Sequence, residues 1–466
     1  MSFWRLSSLS KLDPYAGFIT CSVLLLIWGL FNLVAPGAKI RSLFSRKGTV
    51  ETEPRWKLLL FRVLGGVSVA LGAIWLGQMH PTVLVAENPL YDPYVHHWQA
   101  LNKDGTPEEA AILERLERAT QSYLKPDKPV SVPFGVCIGA VCEGKTFVFS
   151  AGRMKIDSDK SPDADTVFEI GSITKVFTGS ALARCLEDGT VTLDQPLFSL
   201  LPGWVVPDDG RTVTLKNLAT HHSGLPRDVG LPLIKILARH VTMKFVANYY
   251  YDLTIEHARN CLAHRHLSPR SYQYSNFGVG LLGYALANKC GEDYETMIER
   301  LICAPLGMSD TSVKASEEAG RAAQGYIGPV RFAGRYFLLR MPACTVADVY
   351  QGGINLHSTV NDLLRYIKAN IEAPDGPIGQ ALARAQTPLA NTDEKNCEIG
   401  MCLMIRHVNW MEVPLYWHMG SRGGFNACMA FSKEQEVGIV ILASGFLTED
   451  FGEELIKALV SSRRLH

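Results

Sequence analysis

The sequence predicts an α+β fold, an antiparallel sheet built from both chain ends and flanked by helices, plus a mostly helical lobe, all preceded by two transmembrane helices. Three observations predict it. Strand patterns occur early, at 132–142 and 146–151, and late, at 402–408, 415–418, 425–431 and 437–443. The pattern between about 170 and 365 is mainly helical, with Gly- and Pro-rich loops. Two long apolar runs stand ahead of everything else. Strands at both ends with helices between pack most simply as one sheet with terminal helices on it and a second lobe beside it.

The runs come first in the chain. Residues 16–35 and 58–77 are almost continuously apolar, with Arg62 near the start of the second. About 20 apolar residues span a bilayer core, so each run is long enough to cross. Arg62 lies near the end of its run and can snorkel to the headgroups. The connecting loop carries Lys39, Arg41, Arg46, Lys47, Arg55 and Lys57. Positive-inside logic puts that loop in the cytoplasm and the large C-terminal part outside it, on the periplasmic side if the membrane is bacterial. A competing reading makes the first run a cleaved signal peptide, which would reverse the side of the domain; Pro36 spoils the obvious cleavage site.

The domain organisation follows: a membrane region at 1–78, a linker and first helix at 79–130, and a large C-terminal domain at 131–466 with its helical lobe at about 172–365. The first helix is signalled by Thr106-Pro107-Glu108-Glu109, a cap, a first-turn proline and acids in the first turn. It runs to about Tyr123. The first two strands read as a hairpin turning at Glu143-Gly144-Lys145. A closing helix is expected from about 449 to 460.

Composition narrows the function. Of 466 residues, 47% are apolar and 20% charged, with Lys plus Arg and Asp plus Glu both at 46. This is a folded globular composition, with no basic excess to hold nucleic acid. The 11 cysteines include no C-x-x-C pair and no Cys/His spacing of a zinc site. Most lie in apolar contexts and read as buried thiols; disulfides outside the cell remain open.

Three short segments carry chemistry. Gly171-Ser172-Ile173-Thr174-Lys175 opens an apolar helix that stops at Asp188-Gly189. Lys175 then shares a helix face with Ser172. A serine hydroxyl needs a base to act as a nucleophile, and a desolvated lysine can be one. Alone the signal is weak. Ser-x-x-Lys is expected about once by chance in a chain this long, and Ser8-Leu9-Ser10-Lys11 is a second match. Tyr274-Ser275-Asn276 is the next segment: a phenol that can relay a proton and an amide that can donate and accept. His418-Met419-Gly420-Ser421 ends a strand, where Gly420 lets substrate approach and the Ser421 N–H can pair with that of Ser172 to hold an oxyanion.

In this order and spacing the three segments resemble the serine β-lactamase-like and penicillin-binding protein family, in its class C β-lactamase and esterase branch. The family motifs are Ser-x-x-Lys, Tyr-x-Asn and Lys- or His-x-Gly. Leu193-Asp194-Gln195-Pro196, His221-His222-Ser223-Gly224-Leu225-Pro226, Pro305-Leu306-Gly307-Met308 and Gly352-Gly353 to Asp362-Leu363 are similar to its connecting segments. The resemblance covers roughly residues 130–446. It implies that Ser172 forms an acyl-enzyme, and that Lys175 and Tyr274 share proton transfer, with the identity of the base left open. It further implies that Asn276 holds Lys175 and the substrate, that His418 supports the Tyr274–Lys175 hydrogen bonds, and that the Ser172 and Ser421 amides form the oxyanion hole. It requires no metal or cofactor.

One departure bears on substrate. Members acting on penicillins or peptidoglycan ends often have Lys-Thr-Gly, whose cation and hydroxyl hold a carboxylate. Here Met419 cannot donate and His418 is not reliably charged; Arg422 is the nearest candidate cation. The expected partners are a small-molecule or peptide ester or amide and membrane lipid, not nucleic acid. The rival functions are a penicillin-binding sensor and a non-catalytic scaffold of the same fold.

Overall fold

The computed structural model describes residues 83–86, 98–100, 105–123, 134–205, 212–229, 253–264, 271–314, 320–332, 335–341, 346–445, 447 and 449–461. Both apolar runs expected to cross a membrane lie outside the described residues. Among those that are described, no helix is long and apolar enough to span a bilayer.

Strands from early and late in the described part of the chain form one antiparallel sheet. Its members among the described residues are β1 (Gln99–Ala100), β2 (Gly135–Cys142), β3 (Lys145–Gly152), β4 (Ala390–Asn391), β5 (Cys397–Ile399), β6 (Met404–Arg406), β7 (Leu415–Arg422), β8 (Phe425–Ser432) and β9 (Val437–Ser444). They stand in the order β1-β3-β2-β9-β8-β7-β6-β5-β4. The late strand β9 pairs with the early strand β2, from Val437 opposite Cys142 to Ser444 opposite Gly135. The expected β2–β3 hairpin forms and turns through two residues, with Lys145 already paired in β3: Glu143 and Gly144 both have positive φ, 52° and 74°, the twist that flanking strands require.

β2 and β9 are buried at every position, which requires cover on both faces. Helices α1 (Pro107–Tyr123) and α6 (Glu449–Val460) supply one layer. Ile112 and Leu116 from α1 meet Phe451, Leu455 and Leu459 from α6 over Val136, Ile138, Ile439 and Ile441. Tyr123 stacks on Phe451 with ring centroids 4.0 Å apart. Each such side chain contributes about 1.5–3 kcal/mol on full burial. α1 starts where its sequence says: Thr106 Oγ1 accepts from the Glu109 N–H at 3.2 Å. The opposite face receives α5 (Val360–Glu372). It approaches closely because two strand positions lack side chains. A Cβ on Gly139 would stand 2.6 Å from Val360, and one on Gly438 2.4 Å from Ile367.

The remaining helices include α2 (Thr174–Glu187), α3 (Asn276–Cys290) and α4 (Asp348–Ile354). They pack closely on one another and on the Gly171–Ile173 turn ahead of α2.

Three local expectations change. The stretch expected to be mainly helical also contains a hairpin, Tyr326–Phe332 with Arg335–Arg340. Its register slips between Ile327 and Val330; Gly328-Pro329 interrupts the alternation there and masks the strand in the sequence. The strand expected at 402–408 is only Met404–Arg406, because Cys402 takes a left-handed φ of 60°. The strand expected to end at His418 runs on to Arg422. The His418-Met419-Gly420-Ser421 segment thus lies inside a strand, fixed by pairing with β8 from Tyr416–Phe431 to Arg422–Phe425.

Candidate active site

Ser172 sits in a single 3-10 turn, Gly171–Ile173, that feeds α2. The turn is tight because Gly171 takes a φ of +51°, a conformation glycine accepts without strain. One helical turn later, Lys175 is fully buried, with 0% exposure.

The Lys175 ammonium nitrogen touches three oxygens. Asn276 Oδ1 lies at 2.8 Å, the Gly353 carbonyl at 2.7 Å and Ser172 Oγ at 2.9 Å. The first two can only accept, so each takes an N–H. In a neutral amine those are all the N–H bonds there are, and the lone pair is left for the Ser172 hydroxyl proton. Burial pulls the Lys175 pKa down to about 7, with a smaller push from Arg227 and opposition from Asp228. The amine is therefore substantially neutral near pH 7.

Two other elements bring those acceptors in. Asn276 is the first residue of α3, whose N-cap Ser275 accepts from the Gly278 N–H at 2.8 Å. Gly353 lies in α4, which approaches α3 without intervening side chains: a Cβ on Gly353 would stand 2.7 Å from the Asn276 carbonyl. That contact delivers the Gly353 carbonyl to Lys175.

The Tyr274 ring lies 4.9 Å from Lys175 Nζ. Burial raises its phenol to about 12, while a hydrogen bond with the Ser172 side chain pulls the other way. The phenol is thus a proton carrier at neutral pH, not a resident anion. His221 packs on it with ring centroids 4.5 Å apart. The His221 Nδ1 accepts from the Ser275 N–H at 3.2 Å, which ties the histidine to the Tyr274-x-Asn276 segment.

β7 forms the facing wall. Its alternation turns Trp417 and Met419 onto the hydrophobic core and leaves His418 and Gly420 on the other face. A Cβ on Gly420 would stand 2.0 Å from the Ile170 carbonyl and 3.0 Å from Ser172 N, and one on Gly171 would stand 2.9 Å from Ser421 N. The backbones carrying the two expected oxyanion amides are in direct contact. His418 is 3% exposed. Its Nδ1 lies 2.7 Å from its neighbour's carbonyl, Met419 O, and its ring centroid is 6.5 Å from that of Tyr274. The expected hydrogen bond from His418 to the Tyr274–Lys175 pair is not among its contacts in this structure. Burial and the nearby Lys175 push its pKa down to about 3, so the imidazole is neutral.

Arg422 does not supply the missing cation. It is buried, donates to the Ile354 carbonyl at 3.0 Å and lies 3.4 Å from the Glu169 carboxylate. It braces the strand against the segments holding Ser172 and Gly353.

Ser172, Lys175, Tyr274, Asn276, His418, Gly420 and Ser421 therefore converge, although they come from distant parts of the chain. Sequence reasoning missed four participants. Asp228 Oδ1 accepts from Asn276 Nδ2 at 3.1 Å; Arg227 stands 5.5 Å from the Tyr274 ring centroid; the others are His221 and the Gly353 carbonyl. A main-chain carbonyl leaves no signature of its own; the Gly352-Gly353 pair is the signal that could have pointed to a close backbone approach. Among the described residues no group of three or more His, Cys, Asp or Glu is placed to hold a metal. Cys137, Cys185, Cys303, Cys397 and Cys402 are buried thiols.

A sheet of both chain ends, a helical cluster and a serine–lysine pair between them define a serine hydrolase of the β-lactamase type. The beta-lactamase family model matches residues 134–461, and the chain belongs to that family. It is 26% identical over 344 residues to a beta-lactamase of Pseudomonas fluorescens, covering 66% of this chain and 88% of that protein. It is 27% identical over 327 residues to the D-alanyl-D-alanine-carboxypeptidase/endopeptidase AmpH of Escherichia coli (strain K12), covering 65% of this chain and 78% of that protein. Among solved structures, a class C beta-lactamase covers 76% of this chain and 97% of its own at a TM-score of 0.61 and 20% identity. One from Rhodobacter sphaeroides covers 76% and 99% at 0.58 and 20%. These likenesses extend to the fold.

Proposed function

We propose that this chain is a membrane-anchored hydrolase of esters or amides that works through an acyl-enzyme on Ser172. The observation that carries this reading is the Lys175 nitrogen, 2.9 Å from Ser172 Oγ and held by two obligate acceptors. In the proposed step Ser172 Oγ attacks the substrate carbonyl while its proton passes to neutral Lys175. The carbonyl oxygen, now negative, is held by the Ser172 and Ser421 amides. As the bond to the leaving group breaks, the Tyr274 phenol donates its proton to that group and recovers one from Lys175. Water then attacks the acyl-enzyme by the same path in reverse, releasing the acid and free Ser172.

Lys175 is the base in this account because the amine is already half neutral near pH 7 while the phenol keeps its proton to about 12. The candidate substrates are carboxylic esters, D-amino-acid peptides and β-lactams. A relative named as a D-alanyl-D-alanine-carboxypeptidase/endopeptidase supports including the peptides. Membrane anchoring rests on the apolar runs 16–35 and 58–77, and the basic loop between them favours an extracytoplasmic catalytic domain.

The test is turnover of a panel of p-nitrophenyl esters, N-acetyl-D-Ala-D-Ala and a chromogenic cephalosporin by wild type and Ser172→Ala. Loss of all turnover in the variant is expected. A variant as active as wild type would remove Ser172 from the mechanism. Stable acylation of the wild type without turnover would favour a sensor.

A further inference from the structure

His418 stands at the strand position where the family resemblance places a lysine toward a substrate carboxylate, and its hydrogen bonding is half complete. The Met419 carbonyl can only accept, so at 2.7 Å the His418 Nδ1 must carry the ring proton. Nε2 of the neutral ring is then an acceptor. It is buried and has no hydrogen-bond partner among the described residues. An unmet buried acceptor disfavours the site until a donor arrives. Neither Met419 beside it nor Arg422 further along the strand completes it. Met419 packs into the core, and Arg422 is committed to Ile354 and Glu169.

Building on the acyl-enzyme reading above, we infer that His418 selects substrates whose leaving group is uncharged and presents an N–H or O–H donor to Nε2. A carboxylate there would set its oxygens against an acceptor nitrogen with no cation on the strand to hold them. A donor such as an amide N–H satisfies the nitrogen and becomes part of the bound state. The low pKa of the imidazole agrees with this, since protonation does not convert Nε2 to a donor near neutral pH. Among the candidate substrates this favours esters and amides whose leaving group carries an uncharged N–H or O–H donor over those, such as D-Ala-D-Ala peptides with a free carboxylate, whose leaving group is charged.

Three esters of one acyl group, phenylacetylglycine, test this. The leaving phenols are 3-hydroxybenzamide, methyl 3-hydroxybenzoate and 3-hydroxybenzoate. They differ in carrying a donor, a neutral group without one, and a charge. Wild-type kcat/KM is expected to be highest for the benzamide ester and about tenfold lower for the benzoate ester, the worth of one hydrogen bond. The methyl ester should fall between. In His418→Lys the benzamide and benzoate esters should exchange rank.

A wild type that prefers the benzoate ester, or takes the methyl ester as fast as the benzamide, overturns the inference. So does a preference that Arg227→Gln moves and His418→Lys does not, which would assign recognition to Arg227. The wild-type series needs no variant to fold. Failure of the acyl-enzyme reading is distinguishable, because it would abolish the dependence of all three esters on Ser172.

Discussion

Asp228 Oδ1 accepts a hydrogen bond from Asn276 Nδ2 at 3.1 Å, and this bond fixes which end of the Asn276 amide faces Lys175. A carboxylate can only accept, so it holds the NH2 end and leaves Oδ1 to the lysine at 2.8 Å. Its charge also favours the protonated lysine. Asp228→Asn removes both effects. The expected result is a fall in kcat/KM of about tenfold from lost orientation, with the acid limb of the pH–rate profile moving to lower pH. A limb moving to higher pH would contradict the assignment.

The pH profile of the wild type follows from the buried lysine. Below its pKa of about 7 the amine is protonated and has no lone pair for the Ser172 proton. Acylation should climb with pH through about 7 and then level off. Lys175→Ala should lose about 10²–10⁴ in acylation rate, the scale of general-base catalysis.

Tyr274→Phe separates the two candidate bases. The phenol is raised to about 12 and keeps its proton across the working range. The variant should be slower by about 10² while retaining the limb near pH 7. Disappearance of the limb in stopped-flow acylation would make Tyr274 the base.

Gly420→Ala tests the oxyanion wall. The new Cβ would fall 2.0 Å from the Ile170 carbonyl, a backbone atom that cannot swing aside. The strand must retreat and take the Ser421 amide with it. Loss of one oxyanion donor costs about 10²–10³ in kcat. Steady-state kinetics should show the loss mainly in kcat, with KM little changed.

Arg422→Met tests the brace behind the site. Arg422 and Glu169 are each 5% exposed and 3.4 Å apart. Removing one member of a buried pair costs about 3–5 kcal/mol, which urea unfolding should register. Adding Glu169→Gln should recover part of it, since the buried carboxylate that lost its arginine is then gone.

The sequence carried the fold class because its periodicities are local. The alternation of 425–431 and the cap at Thr106 need no tertiary knowledge. It carried the candidate site residues, which the structure brings together, because three motifs stand in one order along the chain. It did not carry the hairpin at 326–340, where Gly328-Pro329 breaks the alternation, nor the continuation of β7 past His418. It also missed the contacts that set the lysine: the Gly353 carbonyl is backbone, and Asp228 is one acid among the 46 Asp and Glu residues until α3 brings Asn276 to it. The fate of Arg422 turned on which face of the strand met Glu169 and Ile354.

The central claim is that Ser172 is the nucleophile and Lys175 its base. Labelling with a fluorophosphonate, followed by proteolysis and mass spectrometry, measures it directly. The account predicts a single adduct on Ser172 whose formation rate rises through about pH 7 in step with the buried lysine, and no adduct in Ser172→Ala. An adduct on another residue, or equal labelling of Ser172→Ala, would contradict it.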